Sequence, residues 1–253
     1  MNRNQTALVT GSGVRLGKAI AIALAKAGFD IALHYNSSQA KAKATQAEIL
    51  ALGVQCETFQ QDLSQAEALD DFLQTVQAKM PTLAVLVNSA SVYDSGEIAD
   101  TSVAIFEQQF AVNLRAPFFL SRAFAKAVET GNIINICDNK IAFNQYEYAA
   151  YLLSKKTLAE FTKLAALEFA PHIRVNGVSP GVVMPAGSRS EDYINWRIQG
   201  IPVQRQGHTD NITQAIVSLI DNDFMTGQIL FVDGGESITN VGRNATQFDP
   251  NLV

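Results

Sequence analysis

The chain has 253 residues, 47% hydrophobic and 17% charged, with a formal net charge of -5. That length suits one large α/β domain with a substantial core. The acidic balance comes without a basic run, which argues against a nucleic-acid partner, and no uncharged apolar stretch reaches the about 18 residues of a membrane helix.

Cys56 and Cys137 both lie in apolar segments and are expected to be reduced, buried thiols of a cytoplasmic protein. The opening MNRNQTALVT runs straight into a strand with no signal-peptide pattern. Thr6–Thr10 is that strand, followed by GSGVRLG. Apolar residues then recur at helical spacing from Leu16 to Ala27, and Gly28 is placed to end the helix. Strand, glycine-rich turn and helix open a dinucleotide-binding βαβ unit. Gly11, Gly13 and Gly17 give G-x-G-x-x-x-G, one residue longer than the commonest fingerprint. Such glycines let the backbone turn tightly and approach a diphosphate, and the helix N-terminus supplies free N–H groups.

The second strand, Ile31–Tyr35, runs into Asn36-Ser37-Ser38. A carboxylate at that strand end would favour NAD; its absence leaves room for a 2′-phosphate, which Asn and Ser can hydrogen-bond. NADPH is therefore the expected cofactor, although no Arg or Lys in this stretch pairs the phosphate. A helix Ser38–Leu52 ends at Gly53, and Gln55–Gln60 is the third strand. Ser64 is a predicted N-cap for a helix Gln65–Ala78, with Glu67 completing a capping box. Asp62 is either an adenine contact or a turn residue. Leu83–Val87 is fully apolar, as a parallel sheet covered on both faces requires. It ends in Asn88-Ser89-Ala90-Ser91, small residues beside which a ligand can lie at the carboxyl end of the strand. Tyr93 follows, an aromatic able to stack on a flat ligand or simply to pack.

Thr101–Ala127 reads as one long helix carrying Asn113 and bent near Pro117. Asn132–Cys137 is the fifth strand, with Asp138 just past its end. In the next helix, Tyr151–Phe169, Tyr151 and Lys155 stand one turn apart on one face. A cation there favours the phenolate and is expected to lower the Tyr pKa from its usual value near ~10, suiting it to proton transfer. Ile173–Val178 is the sixth strand, ending in the rigid turn Ser179-Pro180-Gly181. Residues 182–206, irregular apart from a short helix around Trp196, form a candidate substrate-binding lid. A helix Thr209–Leu219 and a seventh strand Gln228–Val232 follow, closed by Asp233-Gly234-Gly235. The polar tail, 238–253, is expected to be partly disordered or to dock on a neighbouring subunit. No repeat or linker interrupts the chain. The expectation is one domain over 1–253, a doubly wound, mostly parallel seven-stranded Rossmann sheet with helices on both faces.

In order and on the expected elements, Thr10-Gly11…Gly17, Asp62, Asn88-Ser89-Ala90, Asn113, Tyr151-x-x-x-Lys155 and Pro180-Gly181 resemble the short-chain dehydrogenase/reductase superfamily over nearly the whole chain. Two departures narrow the likeness. Arg15 stands where the superfamily's turn carries its second glycine, and Asp138 stands where relatives carry the catalytic Ser. Both resemble the pteridine reductases, as do His34-Tyr35, Tyr93, Leu167–Pro171 and Ile201-Pro202. The resemblance implies a catalytic set Asp138, Tyr151, Lys155 and Asn113, with Lys155 lowering the Tyr151 pKa and Asn113 linking Lys155 to water. It implies a cofactor set of Gly11, Arg15, Leu16, Gly17, His34, Tyr35, Asn36, Ser37, Asp62, Leu63, Asn88, Ser89, Ala90, Tyr151, Lys155, Pro180 and Gly181. For the substrate it implies Arg15, Ser91, Tyr93, Asp138 and Tyr151, with no metal. The implied reaction is NADPH-dependent reduction of a dihydropterin or dihydrofolate by a cytoplasmic homotetramer. The alternative is a carbonyl reductase, for instance of 3-oxoacyl thioesters. Against that, an ionised Asp cannot donate a hydrogen bond to a carbonyl oxygen gaining charge, whereas a pterin offers N–H groups and a ring nitrogen to protonate.

Overall fold

The computed structural model describes residues 5–184, 189–239, 242–243 and 247–250; the expectations for the extreme N-terminus and for parts of the lid and tail fall outside the described residues. The strands are β1 (Thr6–Val9), β2 (Asp30–Tyr35), β3 (Cys56–Gln60), β4 (Leu83–Asn88), β5 (Gly131–Ile136), β6 (Ile173–Pro180) and β7 (Ile229–Val232). They form one seven-stranded sheet in the order β3-β2-β1-β4-β5-β6-β7, and every pairing is parallel. The order reverses between β1 and β4, so the crevice above their carboxyl ends is the switch point where such sheets bind ligands.

Apolar strands need cover on both faces, and the helices supply it. All of β4 is buried. On one face α3 (Leu69–Lys79), α5 (Ala116–Ala127) and α6 (Ala149–Phe169) pack Phe72, Phe124 and Leu158 onto Leu86 and Ile133. On the other, α1 (Arg15–Lys26), α2 (Gln39–Leu50) and α8 (Thr209–Asp221) pack Ile20, Ile49 and Ile216 around Val9, Leu33 and Val87. Both thiols are free and buried, as expected.

Two local expectations are corrected. Ser64 caps no helix. Its N–H donates to Asp62 Oδ1 at 2.9 Å, an Asx turn that competes with helix initiation. A 3₁₀ turn at Ala66–Ala68 intervenes, and α3 starts at Leu69 without a side-chain cap. Nor is Thr101–Ala127 one helix. Ser102 caps α4 (Val103–Phe110) by accepting from Ile105 N, and a π-helical turn, Ala111–Arg115, joins α4 to α5. The distortion therefore precedes Pro117, which sits harmlessly in the first turn of α5. π-turns cost hydrogen-bond geometry and cluster at functional sites. Here the turn carries Asn113, which is fully buried.

Candidate active site

A cleft of about 1000 Å³ opens over the carboxyl ends of the strands. Its cofactor end is the glycine-rich turn. Gly11 adopts φ +66, and a Cβ there would stand 3.0 Å from Ala90 Cα. A Cβ on Gly17 would meet Gly11 O at 2.4 Å, so only glycine lets α1 start this close to β1. The α1 N-terminus has Val14 in the capping position, no side-chain cap and no acid in its first turn. Its N–H groups and dipole are unspent and suited to a diphosphate.

Arg15, at the position where the resemblance expects glycine, has a positive φ of 50. Left-handed backbone costs a non-glycine residue about 1–2 kcal/mol. The Arg15 guanidinium donates to Met184 O at 2.5 Å, tying the turn to the lid. Arg15→Gly is therefore expected to gain about 1 kcal/mol in stability, raising the thermal midpoint by about 2–4 °C, while losing turnover. Calorimetry and a rate assay on one preparation check both.

His34 braces this turn from below. Its Nδ1 accepts the Gly11 N–H at 2.9 Å, and its Nε2 donates to Gln61 O at 3.0 Å. Burial lowers its pKa from 6.5 to about 4. The unfolded chain thus binds the extra proton between pH about 6.5 and about 4, so stability falls as pH falls through that window and is flat below it. The loss is roughly 3 kcal/mol. Urea unfolding across this range is expected to show it, and His34→Gln, able to keep both hydrogen bonds, is expected to flatten it.

At the chemical end, Tyr151 Oη donates to Asp138 Oδ2 at 2.7 Å. Asp138 Oδ1 accepts Lys140 N at 2.8 Å, capping the 3₁₀ turn Asn139–Ala142. Burial, then the Asp138 charge and its hydrogen bond, push the Tyr151 pKa well above its ordinary value. This corrects the expectation that Lys155 lowers it. Lys155 Nζ instead donates to Ile136 O at 2.8 Å and lies 5.9 Å from the Tyr151 ring centroid. Burial depresses the lysine's own pKa. An ammonium has three donors, and this one lines the cleft.

Asn113 does not line the cleft. It binds Ser91 Oγ at 2.9 Å and Val92 N at 3.0 Å through Oδ1, and Gln109 Oε1 at 2.9 Å and Ser154 Oγ at 3.3 Å through Nδ2. It fixes the strand end bearing Ser91 and Tyr93. Gln109, buried, passes the chain on to Asp94 Oδ2 at 2.9 Å.

Of the other residues singled out from the sequence, Leu16, Asn36, Asp62, Leu63, Ser89, Ala90, Ser91, Tyr93, Pro180 and Gly181 line the cleft. Tyr35, Ser37 and Asn88 do not; Asn88 lies beneath the floor, donating to Asn135 Oδ1 at 2.8 Å. Sequence reasoning missed the second aromatic. Tyr148 stacks on Tyr93 with centroids 4.4 Å apart, and Tyr151 meets Tyr93 edge-on at 4.6 Å. The signal was Tyr148 preceding Tyr151 by one helical turn. Arg189 was also missed. It donates to Tyr148 Oη at 3.3 Å and lies over the Tyr193 ring at 4.7 Å. The lid's described part contains the helix α7 (Glu191–Gln199), as expected around Trp196. The arrangement offers a proton donor beside a carboxylate, a cationic amine and the aromatic Tyr93 around one space.

A family model described as enoyl-(acyl carrier protein) reductase matches residues 13–237. The chain is 32% identical to the uncharacterized oxidoreductase YohF of Escherichia coli, over 97% of this chain and 99% of that one. It is 28% identical to the 3-oxoacyl-[acyl-carrier-protein] reductase FabG of Staphylococcus epidermidis, over 92% of this chain and 98% of that one. Among solved structures it resembles FolM, alternative dihydrofolate reductase 1 from Brucella suis, crystallised with NADP, with a TM-score of 0.90, 28% identity and coverage of 94% of this chain and 97% of that one. The chain belongs to the short-chain dehydrogenase/reductase superfamily of oxidoreductases.

Proposed function

We propose that this oxidoreductase is an NADPH-dependent pteridine reductase that converts a dihydropterin, or dihydrofolate, to its tetrahydro form. The observation that carries this reading is the 2.7 Å hydrogen bond from Tyr151 Oη to the Asp138 carboxylate. A carbonyl oxygen accumulating negative charge beside that carboxylate would be repelled. A ring bearing N–H donors and a nitrogen to be protonated would be held. Tyr93, which lines the cleft and is backed by Tyr148, suits a flat heteroaromatic. The likeness to FolM, an alternative dihydrofolate reductase crystallised with NADP, supports both substrate and cofactor.

The glycine turn and uncapped α1 fit the NADPH diphosphate. In this reading Asp62 and Leu63 flank adenine, Asn36 meets the 2′-phosphate, Lys155 and Tyr151 hold the nicotinamide ribose, and Pro180 and Gly181 border the ring. When bound, the dihydronicotinamide supplies a hydride to the carbon of the substrate's C=N bond. Tyr151 delivers the proton that the adjacent nitrogen takes up, the C=N becoming CH–NH. Asp138 orients the Tyr151 hydroxyl and accepts from substrate N–H groups. Lys155 donates to the ribose. Asn113 holds Ser91 and Tyr93 at the substrate face. The test is NADPH oxidation with a dihydropterin, against NADH as the weaker reductant.

The whole chain acts as one catalytic domain in this reading, assembled as a homotetramer. Exposed apolar side chains support assembly: Val103, Phe118 and Leu167 on α4, α5 and α6, Phe224 before the edge strand β7, and Phe231 on it. A monomer by light scattering would remove that part. The second reading, a 3-oxoacyl thioester reductase, is favoured by the FabG relative and disfavoured by Asp138.

A further inference from the structure

Next to the cleft lies a group of charges that the proposed chemistry does not use. Glu236, in the 3₁₀ turn after β7, is 1% exposed. Its Oε1 accepts from Lys140 Nζ at 2.7 Å and from Arg197 Nη2 at 2.9 Å. Its Oε2 accepts from Asn139 Nδ2 at 2.8 Å. The donors come from two different walls. Asn139 and Lys140 directly follow Asp138, and Arg197 stands on α7, whose Tyr193 and Ile194 line the cleft.

The tail completes the arrangement. Arg243 O accepts from Lys140 Nζ at 3.0 Å and from Arg197 Nη1. The Arg243 guanidinium lies 5.0 Å over the Trp196 ring and donates to Trp196 O. Phe248 packs on Trp196 at 5.7 Å and on Tyr193 at 5.5 Å. The described tail thus docks on the lid helix of its own chain.

A helix of nine residues does not persist on its own propensity, so α7 depends on these anchors. A buried carboxylate shared by two cations is held only while its partners are complete; removing one leaves an uncompensated charge. We propose that Glu236 and Arg243 are positioning residues that hold α7 closed over the substrate end of the cleft and fix the Asn139-Lys140 turn behind Asp138. Neither touches the reacting atoms. Glu236 sets the register between the Asp138 turn and α7, and Arg243 straps α7 from outside.

Trp196 is the chain's only tryptophan, so its emission in the full-length protein reports on α7 without any substrate. Three variants test the strap: Glu236→Gln, Arg243→Ala and a chain ending at Thr239. Each is expected to shift Trp196 emission to the red and to increase its quenching by acrylamide. Each is also expected to raise KM about tenfold, with kcat within about threefold and NADPH affinity unchanged, for whichever of a dihydropterin and a 3-oxoacyl thioester the wild type turns over. Because that choice covers both substrates, failure of the pterin reading leaves this test standing. Arg243→Ala keeps every buried charge, so it decides the matter even where Glu236→Gln does not fold. Wild-type KM in folded Arg243→Ala and in the shortened chain would overturn the proposal, whatever the emission does. So would a loss confined to kcat.

Discussion

Tyr151→Phe is expected to lower kcat by roughly 10²–10⁴-fold while leaving folding unchanged and weakening NADPH binding far less than turnover. The ring keeps its edge-on contact with Tyr93 at 4.6 Å, and only the hydroxyl is lost. That hydroxyl donates to Asp138. Burial and the Asp138 charge hold its pKa well above the ordinary value, so Tyr151 stays protonated across neutral pH and is the proton donor of the proposed reaction. Phe cannot deliver that proton. Single-turnover oxidation of NADPH, beside a direct measurement of cofactor binding, separates the chemical step from cofactor capture.

Asp138→Ser is expected to cost at least about 10²-fold in dihydropterin turnover. Three changes act together. The carboxylate proposed to accept from substrate N–H groups disappears. The acceptor that orients Tyr151 weakens from an ion to a neutral hydroxyl. The negative charge that raises the Tyr151 pKa is removed, so the phenolate forms at lower pH than in the wild type. Phenolate absorbance followed against pH reads the last effect directly. A rise in the Tyr151 pKa on this substitution would contradict the electrostatic part of the account.

The order and type of the elements were legible because local signals agreed with the global fold. Apolar β4, the glycine turn and the helical periodicity after Leu16 all point to a parallel, doubly wound sheet. The residues at the strand ends were legible for the same reason, since topology carries Ser89, Ala90, Asp138 and Pro180 to one edge. Contacts between distant segments were not. Nothing in the spacing joins Lys140 to Glu236 or Arg197 to the tail. The Tyr151–Lys155 spacing correctly placed both at the cleft but misjudged their coupling. A shared helix face does not say that the ammonium turns to Ile136 O instead. Asn113 was visible as a residue, but the π-turn that buries it depends on its own side-chain bonds to Ser91, Val92 and Gln109. Ser64 shows the opposite failure, a good local capping pattern overridden by a stronger local competitor, Asp62.

The carboxylate beside Tyr151 is expected to select a pterin over a carbonyl substrate. The most direct measurement is NADPH oxidation with a dihydropterin, dihydrofolate and a 3-oxoacyl thioester, run on wild type beside Asp138→Ser. Wild type is expected to turn over the dihydropterin, and the substitution to abolish most of this activity. Turnover of the thioester alone, unchanged or improved by Asp138→Ser, would contradict it and make the protein a carbonyl reductase.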